Sequence, residues 1–353
     1  MFASFGKAPL TESPQNPAYE AIVVGAGPAG LTAAVYLARF RRRVLVLDGG
    51  PSRAAWIPES HNTPGFPAGI SGTALLQRLR DQAEEYGAVI SAARADRLEQ
   101  TSGRFRLHIG GERVEAPTVL LATGLVDHLP DIPGVDAALA ASLARVCPIC
   151  DAYEAIDARL AVLGDGPLAL REAEFLRTYS QDVSVLMLGE EGAGSTGVMP
   201  VALQDIRFED RKIVLARQDL ADQRFDYLYL AMGSTIQADL ATGLGARQDD
   251  SGKLLADAHQ MTTVEGLYVA GDVVRGLNQI AVATGEAALA APALPNRLRT
   301  PRSPRAAPTR PVPQQAPLCR AESPSPPPAR SRSATPSSAS STRCWPPPPP
   351  PPP

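Results

Sequence analysis

The sequence predicts an α/β protein made of two Rossmann-like dinucleotide-binding domains, the second inserted into the first, with a disordered C-terminal tail. Three observations predict it. First, an apolar run, a glycine-rich turn, a helix-spaced stretch and a second apolar run occur in that order from residue 21 to 48. Second, the same order recurs from residue 160 to 188, so the chain holds two β-α-β units. Third, from about Pro292 both periodicities stop, and Pro, Ser, Arg and Ala repeat to the end.

In chain order, residues 1–18 are polar and proline-containing and read as an N-terminal extension, without the basic flank and apolar run of a secretory signal. Residues 21–24 form a short apolar strand ending in Gly25, residues 28–40 have helical apolar spacing, and residues 44–47 are a second strand ending in Asp48. After the apolar run 119–122, proline and glycine cluster over residues 129–134 and read as a linker. The second unit follows: strand 160–163, helix 168–179 and strand 183–188. Residues 192–224 have little apolar periodicity, so the inserted domain is expected to be reduced there. A second boundary falls near Gly233-Ser234-Thr235, after which residues 266–272 read as strand then turn and residues 278–291 as a small-residue helix. The expected outer domain is therefore 19–128 with 236–291, the inserted domain is 129–235, and the tail is 292–353. Two β-α-β units by themselves also fit one large doubly wound sheet.

Composition narrows the function. A chain of 353 residues with 44% hydrophobic and 20% charged content has room for two cores. Residues 301–353 hold 19 of the 35 prolines and carry +6, which leaves −9 on the first 300 residues. An acidic body gives no reason to expect nucleic acid or an anionic membrane as partner, and no apolar stretch is long enough to span a bilayer. Of four cysteines, two lie in the tail, which excludes a secreted disulfide framework and points to a reducing cytoplasm. Disorder is expected for the tail, with polyproline geometry for its last residues.

The motifs carry the chemistry. Gly25-Ala26-Gly27-Pro28-Ala29-Gly30 lies between strand and helix, with Asp48 at the end of the next strand. Such glycines let backbone approach a pyrophosphate at a helix N-terminus, and the carboxylate accepts hydrogen bonds from a ribose diol. Gly271-Asp272, with Ala122-Thr123-Gly124 upstream, fits a flavin in this first site. The second turn, Gly164-Asp165-Gly166-Pro167-Leu168-Ala169, is a looser nucleotide site, because Asp165 adds a carboxylate and Pro167 removes an N–H donor. After its second strand the chain reads Gly189-Glu190-Glu191, with no arginine for a 2′-phosphate, so NADH is electrostatically easier there than NADPH.

Between the two turns lies Cys147-Pro148-Ile149-Cys150-Asp151, which reads as an electron path from a donor, through a flavin, to a dithiol. A helix starting here would stabilise a thiolate, and Asp151 is placed to carry a proton. Zinc needs two further ligands, whereas His61, His108, His128 and His259 are scattered singly, so no metal site is expected. Only His61, in a Pro/Gly-rich loop, is placed near the cofactor. The cluster Arg39, Arg41, Arg42 and Arg43 is a helix-ending charge group without an assigned function.

Together these residues resemble the thioredoxin reductase family of low-molecular-weight, two-domain flavoproteins, over roughly residues 19 to 291. The resemblance is carried by the first glycine turn, His61-Asn62-Thr63-Pro64-Gly65-Phe66-Pro67 with Ile70-Ser71-Gly72, Ala122-Thr123-Gly124, Cys147 to Asp151 with Tyr153-Glu154, and Gly271-Asp272 with Asn278-Gln279-Ile280. It implies FAD held in the outer domain by Gly25, Gly27, Pro28, Ala29, Gly30, Asp48, Asn62, Ala122, Thr123, Gly124, Gly271, Asp272, Asn278, Gln279 and Ile280. It implies NADPH or NADH at Gly164, Gly166 and Ala169, a homodimer, and a thioredoxin-like protein or small disulfide or dithiol as substrate. Cys150 would be the thiol that attacks the flavin C4a atom, Cys147 the interchange thiol and Asp151 the acid/base. The inserted domain would rotate about its two linkers to show the flavin alternately to nicotinamide and dithiol.

This sequence departs from the family where NADPH-using members carry a histidine-arginine-arginine group, here Gly189-Glu190-Glu191. Relatives with a defective nicotinamide site include ferredoxin-fed reductases and flavin-dependent dithiol oxidases, and both remain alternatives. A flavin-binding redox sensor whose proline-rich tail docks a partner is a third. Relatives also stop soon after the helix that here closes near Ala291, so the tail is expected to be an out-of-frame reading of GC-rich DNA or a nonessential extension.

Overall fold

The computed structural model describes residues 18–188, 197–217, 220–274 and 276–296. The expectations for the N-terminal extension, for Gly189-Glu190-Glu191 and for the tail beyond Asn296 fall outside these residues.

Five parallel strands form the first sheet, in the order Leu267–Val269, Thr118–Leu121, Ala21–Val24, Val44–Leu47, Val89–Ser91. Its three central strands are fully buried, and apolar but for Thr118, because both faces are covered. On one face the helices Pro28–Arg39 and Ile280–Asn296 pack through Ala33, Leu37, Ala287 and Leu294. Their alanine-rich contact surfaces let the two helices lie close to the sheet. On the other face an antiparallel meander of Arg97–Thr101, Arg104–Ile109 and Glu112–Ala116 buries Phe105 and Leu107 against Ile22, Leu45 and Leu121. The chain leaves the central strand Ala21–Val24 on one side and returns on the other, so the switch point, where open sheets bind ligands, lies beside Thr118–Leu121.

The second sheet repeats this plan with Val198–Pro200, Val183–Met187, Leu160–Gly164, Tyr227–Ala231 and Ala144–Arg145, again parallel. It has its own cores, one around Leu163, Leu186, Leu215 and Phe225 and another around Val162, Ala173, Val185 and Tyr229. Two separate sheets with separate cores rule out a single large sheet. The chain passes between them twice, and the two crossings pair as an antiparallel ribbon, Leu125–Asp127 with Ser234–Ile236.

Two expectations need correction. The sequence predicts a reduced segment over residues 192–224, yet Ile206–Glu209, Lys212–Arg217 and Leu220–Phe225 form an antiparallel meander that buries Ile206, Ile213, Leu215 and Phe225. Its first hairpin turns through Asp210 and Arg211, both at positive φ (48° and 58°), without the glycine that would have marked the turn. The last helix runs to Asn296, through Pro292, rather than closing near Ala291. Burial of Ala291 and Leu294 in the core offsets the hydrogen bond that proline removes near this end.

Candidate active site

At the first turn, glycine is required by the backbone. Gly25 has φ +107°, and a Cβ there would lie 2.2 Å from the Ala122 carbonyl oxygen; one on Gly30 would lie 1.9 Å from that of Gly25. The turn leads into Pro28, which opens the helix without wasting an N–H bond. Beside it lies a cleft of about 730 Å³. Its walls are Gly25, Gly27, Pro28, Ala29, Asn62, Ala122, Thr123, Gly124, Gly271, Asp272, Asn278, Gln279 and Ile280, with Cys147, Cys150 and Asp151 at the same cleft. His61 lines it too, with Nε2 3.3 Å from Glu59.

Two predicted residues stand apart from that wall. Gly30 serves the close packing of helix on strand, and the Asp48 carboxylate is ion-paired with Arg80 of the helix Gly72–Glu85. Asp272 is held by Arg53, 3.5 Å away, and Arg53 also forks onto both oxygens of Asp127 at 2.6 and 3.0 Å. Burial pushes the Asp272 carboxyl above its usual range, against the pull of Arg53. A cleft that holds both a backbone-lined turn, where side chains would not fit, and a disulfide fits a flavin dinucleotide.

The second turn differs. Gly164 is needed for packing, since a Cβ there would meet Ala169 Cβ at 2.6 Å and the Ala231 oxygen at 2.9 Å. Gly166 has φ −168°, an extended conformation that any residue adopts. Gly164 ends the strand Leu160–Gly164, Gly166 caps the helix Pro167–Leu176 and Ala169 lies in its first turn, all outside the cleft that holds the disulfide.

Cys147 and Cys150 are joined as a disulfide. Cys147 caps a four-residue helix, Pro148–Asp151, in which the Cys150 N–H donates to the Cys147 carbonyl at 3.0 Å. Behind it lies a network that no sequence motif marks. Buried Arg145 donates to the Asp151 carbonyl at 2.7 Å and the Tyr229 hydroxyl at 3.2 Å, and its guanidinium lies 3.8 Å from the Tyr227 ring centroid. The Tyr229 hydroxyl donates to Asp151 Oδ1 at 3.0 Å. Burial pushes the Asp151 carboxyl up to about 6, opposed by Arg145 and by the Tyr229 hydrogen bond. Tyr229 is pushed well above its usual value by burial and by the Asp151 charge. A weaker signal was available: two tyrosines in the buried run Tyr227–Ala231 need partners for their hydroxyls. Glu172, on the helix after the second turn, is a further perturbed carboxyl, pushed to about 7 by burial.

The arginine cluster is structural: Arg42 pairs with Glu20 at 3.1 Å, Arg43 donates to the Ala18 carbonyl, and Arg39 stacks on Tyr86. Among the described residues, no group of three or more His, Cys, Asp and Glu is placed to hold a metal ion.

The model of the pyridine nucleotide-disulphide oxidoreductase family matches residues 19–196 and 196–287. The chain belongs to that family. This oxidoreductase is 25% identical over 280 residues to a thioredoxin reductase of Mycolicibacterium smegmatis, covering 72% of this chain and 88% of that protein. Its fold matches the crystal structure of HlmI with a TM-score of 0.70 and 30% identity, over 80% of this chain and 92% of that one. A thioredoxin reductase from Streptococcus pyogenes shares the fold at 23% identity and a TM-score of 0.71, over 79% of this chain and 98% of that one. The oxidoreductase is thus an enzyme of thioredoxin reductase type, a flavoprotein that uses FAD and a nicotinamide coenzyme, as the resemblance implied.

Proposed function

We propose that this oxidoreductase draws electrons from a nicotinamide coenzyme, NADH before NADPH, and delivers them through the Cys147–Cys150 pair to a disulfide of a thioredoxin-like protein or small molecule. The observation that carries the reading is one cleft holding both the glycine cradle and the disulfide. FAD, when bound there, supplies a two-electron relay between coenzyme and disulfide. Gly25, Gly27 and Ala29 bring backbone to its pyrophosphate, and Asp272 and Asn62 bring polar groups to the cleft. Gly164, Gly166 and Ala169 are the nicotinamide turn, and residues 129–235 are the inserted domain. A homodimer in the cytoplasm is part of the same reading; among the described residues no helix is long and apolar enough to cross a membrane.

The chain's own residues perform the exchange. Reduction of the pair takes two electrons and two protons, and Asp151 delivers one of the protons. Cys147 then attacks the substrate disulfide as its proton passes to the expelled substrate sulfur, forming a mixed disulfide and releasing one substrate thiol. Cys150 attacks Cys147 in turn, releases the second substrate thiolate and restores the pair, with Asp151 accepting the proton.

Tyr229 stabilises the charged form of Asp151, so its removal raises that carboxyl further. Asp151 then keeps its proton to higher pH. Tyr229→Phe is expected to move the midpoint of the pH–rate profile for disulfide reduction upward by about half to one pH unit. Rapid-mixing traces across pH 5–8 check it, and a downward shift would remove Tyr229 from this role.

Anaerobic mixing with NADH and NADPH in turn, followed by flavin absorbance, tests the function. Bleaching by NADH, faster than by NADPH, is expected. Bleaching by a small dithiol alone would transfer the reading to a dithiol oxidase or a ferredoxin-fed reductase, and a flavin that titrates without turnover would mean a redox sensor.

A further inference from the structure

We propose that Gln279 is a positioning residue for the reactive thiol: its carboxamide, oriented by Asn62, hydrogen-bonds the sulfurs of the pair and stabilises the Cys150 thiolate after reduction. The inference rests on the dithiol reading above and deepens it. Gln279 Nε2 lies 3.3 Å from Cys150 Sγ and 3.6 Å from Cys147 Sγ. At the other end of the same amide, Asn62 Nδ2 donates to Gln279 Oε1 at 2.9 Å. An amide has one accepting and one donating end. With the acceptor taken by Asn62, the donor is the end turned to sulfur.

The contact crosses between the two sheets. Gln279 and Asn62 lie on loops attached to the sheet that carries the glycine cradle, and the cysteines follow Ala144–Arg145, the edge strand of the other. The preceding residue does not compete for the sulfurs, because Asn278 Oδ1 accepts from Lys253 Nζ at 2.6 Å, and Lys253 also binds the Gly276 carbonyl at 3.2 Å. That anchor fixes the backbone from which Gln279 reaches across.

A disulfide sulfur is a weak acceptor, whereas a thiolate makes a charge-assisted bond of about twice the strength. Two electrons open the disulfide, and when the reduced pair sheds a proton the nearer sulfur, that of Cys150, gains most from the amide. Its thiol pKa falls accordingly. The ionisable groups that share the cleft are Arg145, Asp151 and Glu154 on the cysteine side, and Arg53, Glu59, His61, Arg94, Asp96, Asp239 and Asp272 on the other. All of these stay in place in the variants, so a comparison isolates the amide.

The test uses the full chain in a Cys147→Ser background, which leaves Cys150 as the one thiol of the pair. Its alkylation by iodoacetamide is followed against pH by peptide mass. Gln279→Leu is expected to raise the midpoint by about one pH unit, a tenfold loss of thiolate below it. Asn62→Leu, which frees the amide to turn, should raise it by less. Should Gln279→Leu fail to fold, Asn62→Leu carries the test. A midpoint unchanged in both variants, with only FAD content altered, overturns the proposal and leaves Gln279 as a cofactor contact. Alkylation needs no coenzyme, so a raised midpoint in a protein inert to NADH and NADPH would keep Gln279 in this role while retiring the reductase reading.

Discussion

Cys150→Ser is expected to abolish electron transfer between dithiol and flavin while leaving a yellow, FAD-loaded protein. Serine differs from cysteine by one atom, so the cleft wall and the short helix Pro148–Asp151 keep their shape, and Gln279 still finds an acceptor. What disappears is the chemistry. A serine hydroxyl neither ionises near neutral pH nor forms a disulfide, so the two electrons have no sulfur pair to enter. The loss should amount to at least three orders of magnitude, about 4 kcal/mol of barrier. Anaerobic reduction by a small dithiol reads it directly, and NADH reduction of the same flavin serves as the control. Turnover at the normal rate in Cys150→Ser would remove the dithiol from the mechanism.

Cys147→Ser distinguishes the two sulfurs. It also removes the disulfide, but leaves Cys150 beside the cradle, so on the proposed roles the substrate-facing attack is lost first. Equal defects with every substrate, and equal alkylation of the remaining cysteine in both mutants, would count against the division of labour between Cys147 and Cys150.

The features of this design that were legible in the sequence are those fixed by local backbone demands. Gly25 and Gly30 could be read because no other residue fits beside the Ala122 and Gly25 carbonyls, and strands Ala21–Val24 and Val44–Leu47 because both faces are buried. The cysteine pair announced itself by spacing. Arg145 and Tyr229 did not, since Tyr229 lies 78 positions from Asp151 and 84 from Arg145, which it meets from a neighbouring strand. The hairpin at Asp210-Arg211 stayed hidden because its positive φ angles are carried by residues with side chains. The family resemblance assigned Gln279 to the cofactor, but its reach to the sulfurs depends on how two domains face each other, which no local pattern encodes.

The two glycine turns should respond oppositely to a single methyl group. Gly25→Ala places a side chain at φ +107° and drives its Cβ to 2.2 Å from the Ala122 oxygen, at the switch point of the outer sheet. Backbone strain costs about 1–3 kcal/mol, and relieving the overlap must also push neighbouring hydrogen-bonded strands apart. Against a total stability of about 5–15 kcal/mol, the protein should purify without flavin and melt well below the wild type, or fail to accumulate. Gly166→Ala, at an extended φ of −168°, should fold and keep its FAD. On the proposed coenzyme role of this turn, a Cβ there would crowd a bound pyrophosphate, and NADH should reduce the flavin at least tenfold more slowly at a fixed low concentration. FAD-to-protein ratios, melting temperatures and NADH reduction rates of both variants decide the matter. Full flavin and a native melting temperature in Gly25→Ala would mean that the cradle is not where the cofactor binds. Unchanged NADH reduction in Gly166→Ala would mean that the second turn, built like the first but needing glycine only for packing at Gly164, serves the inserted domain's architecture alone.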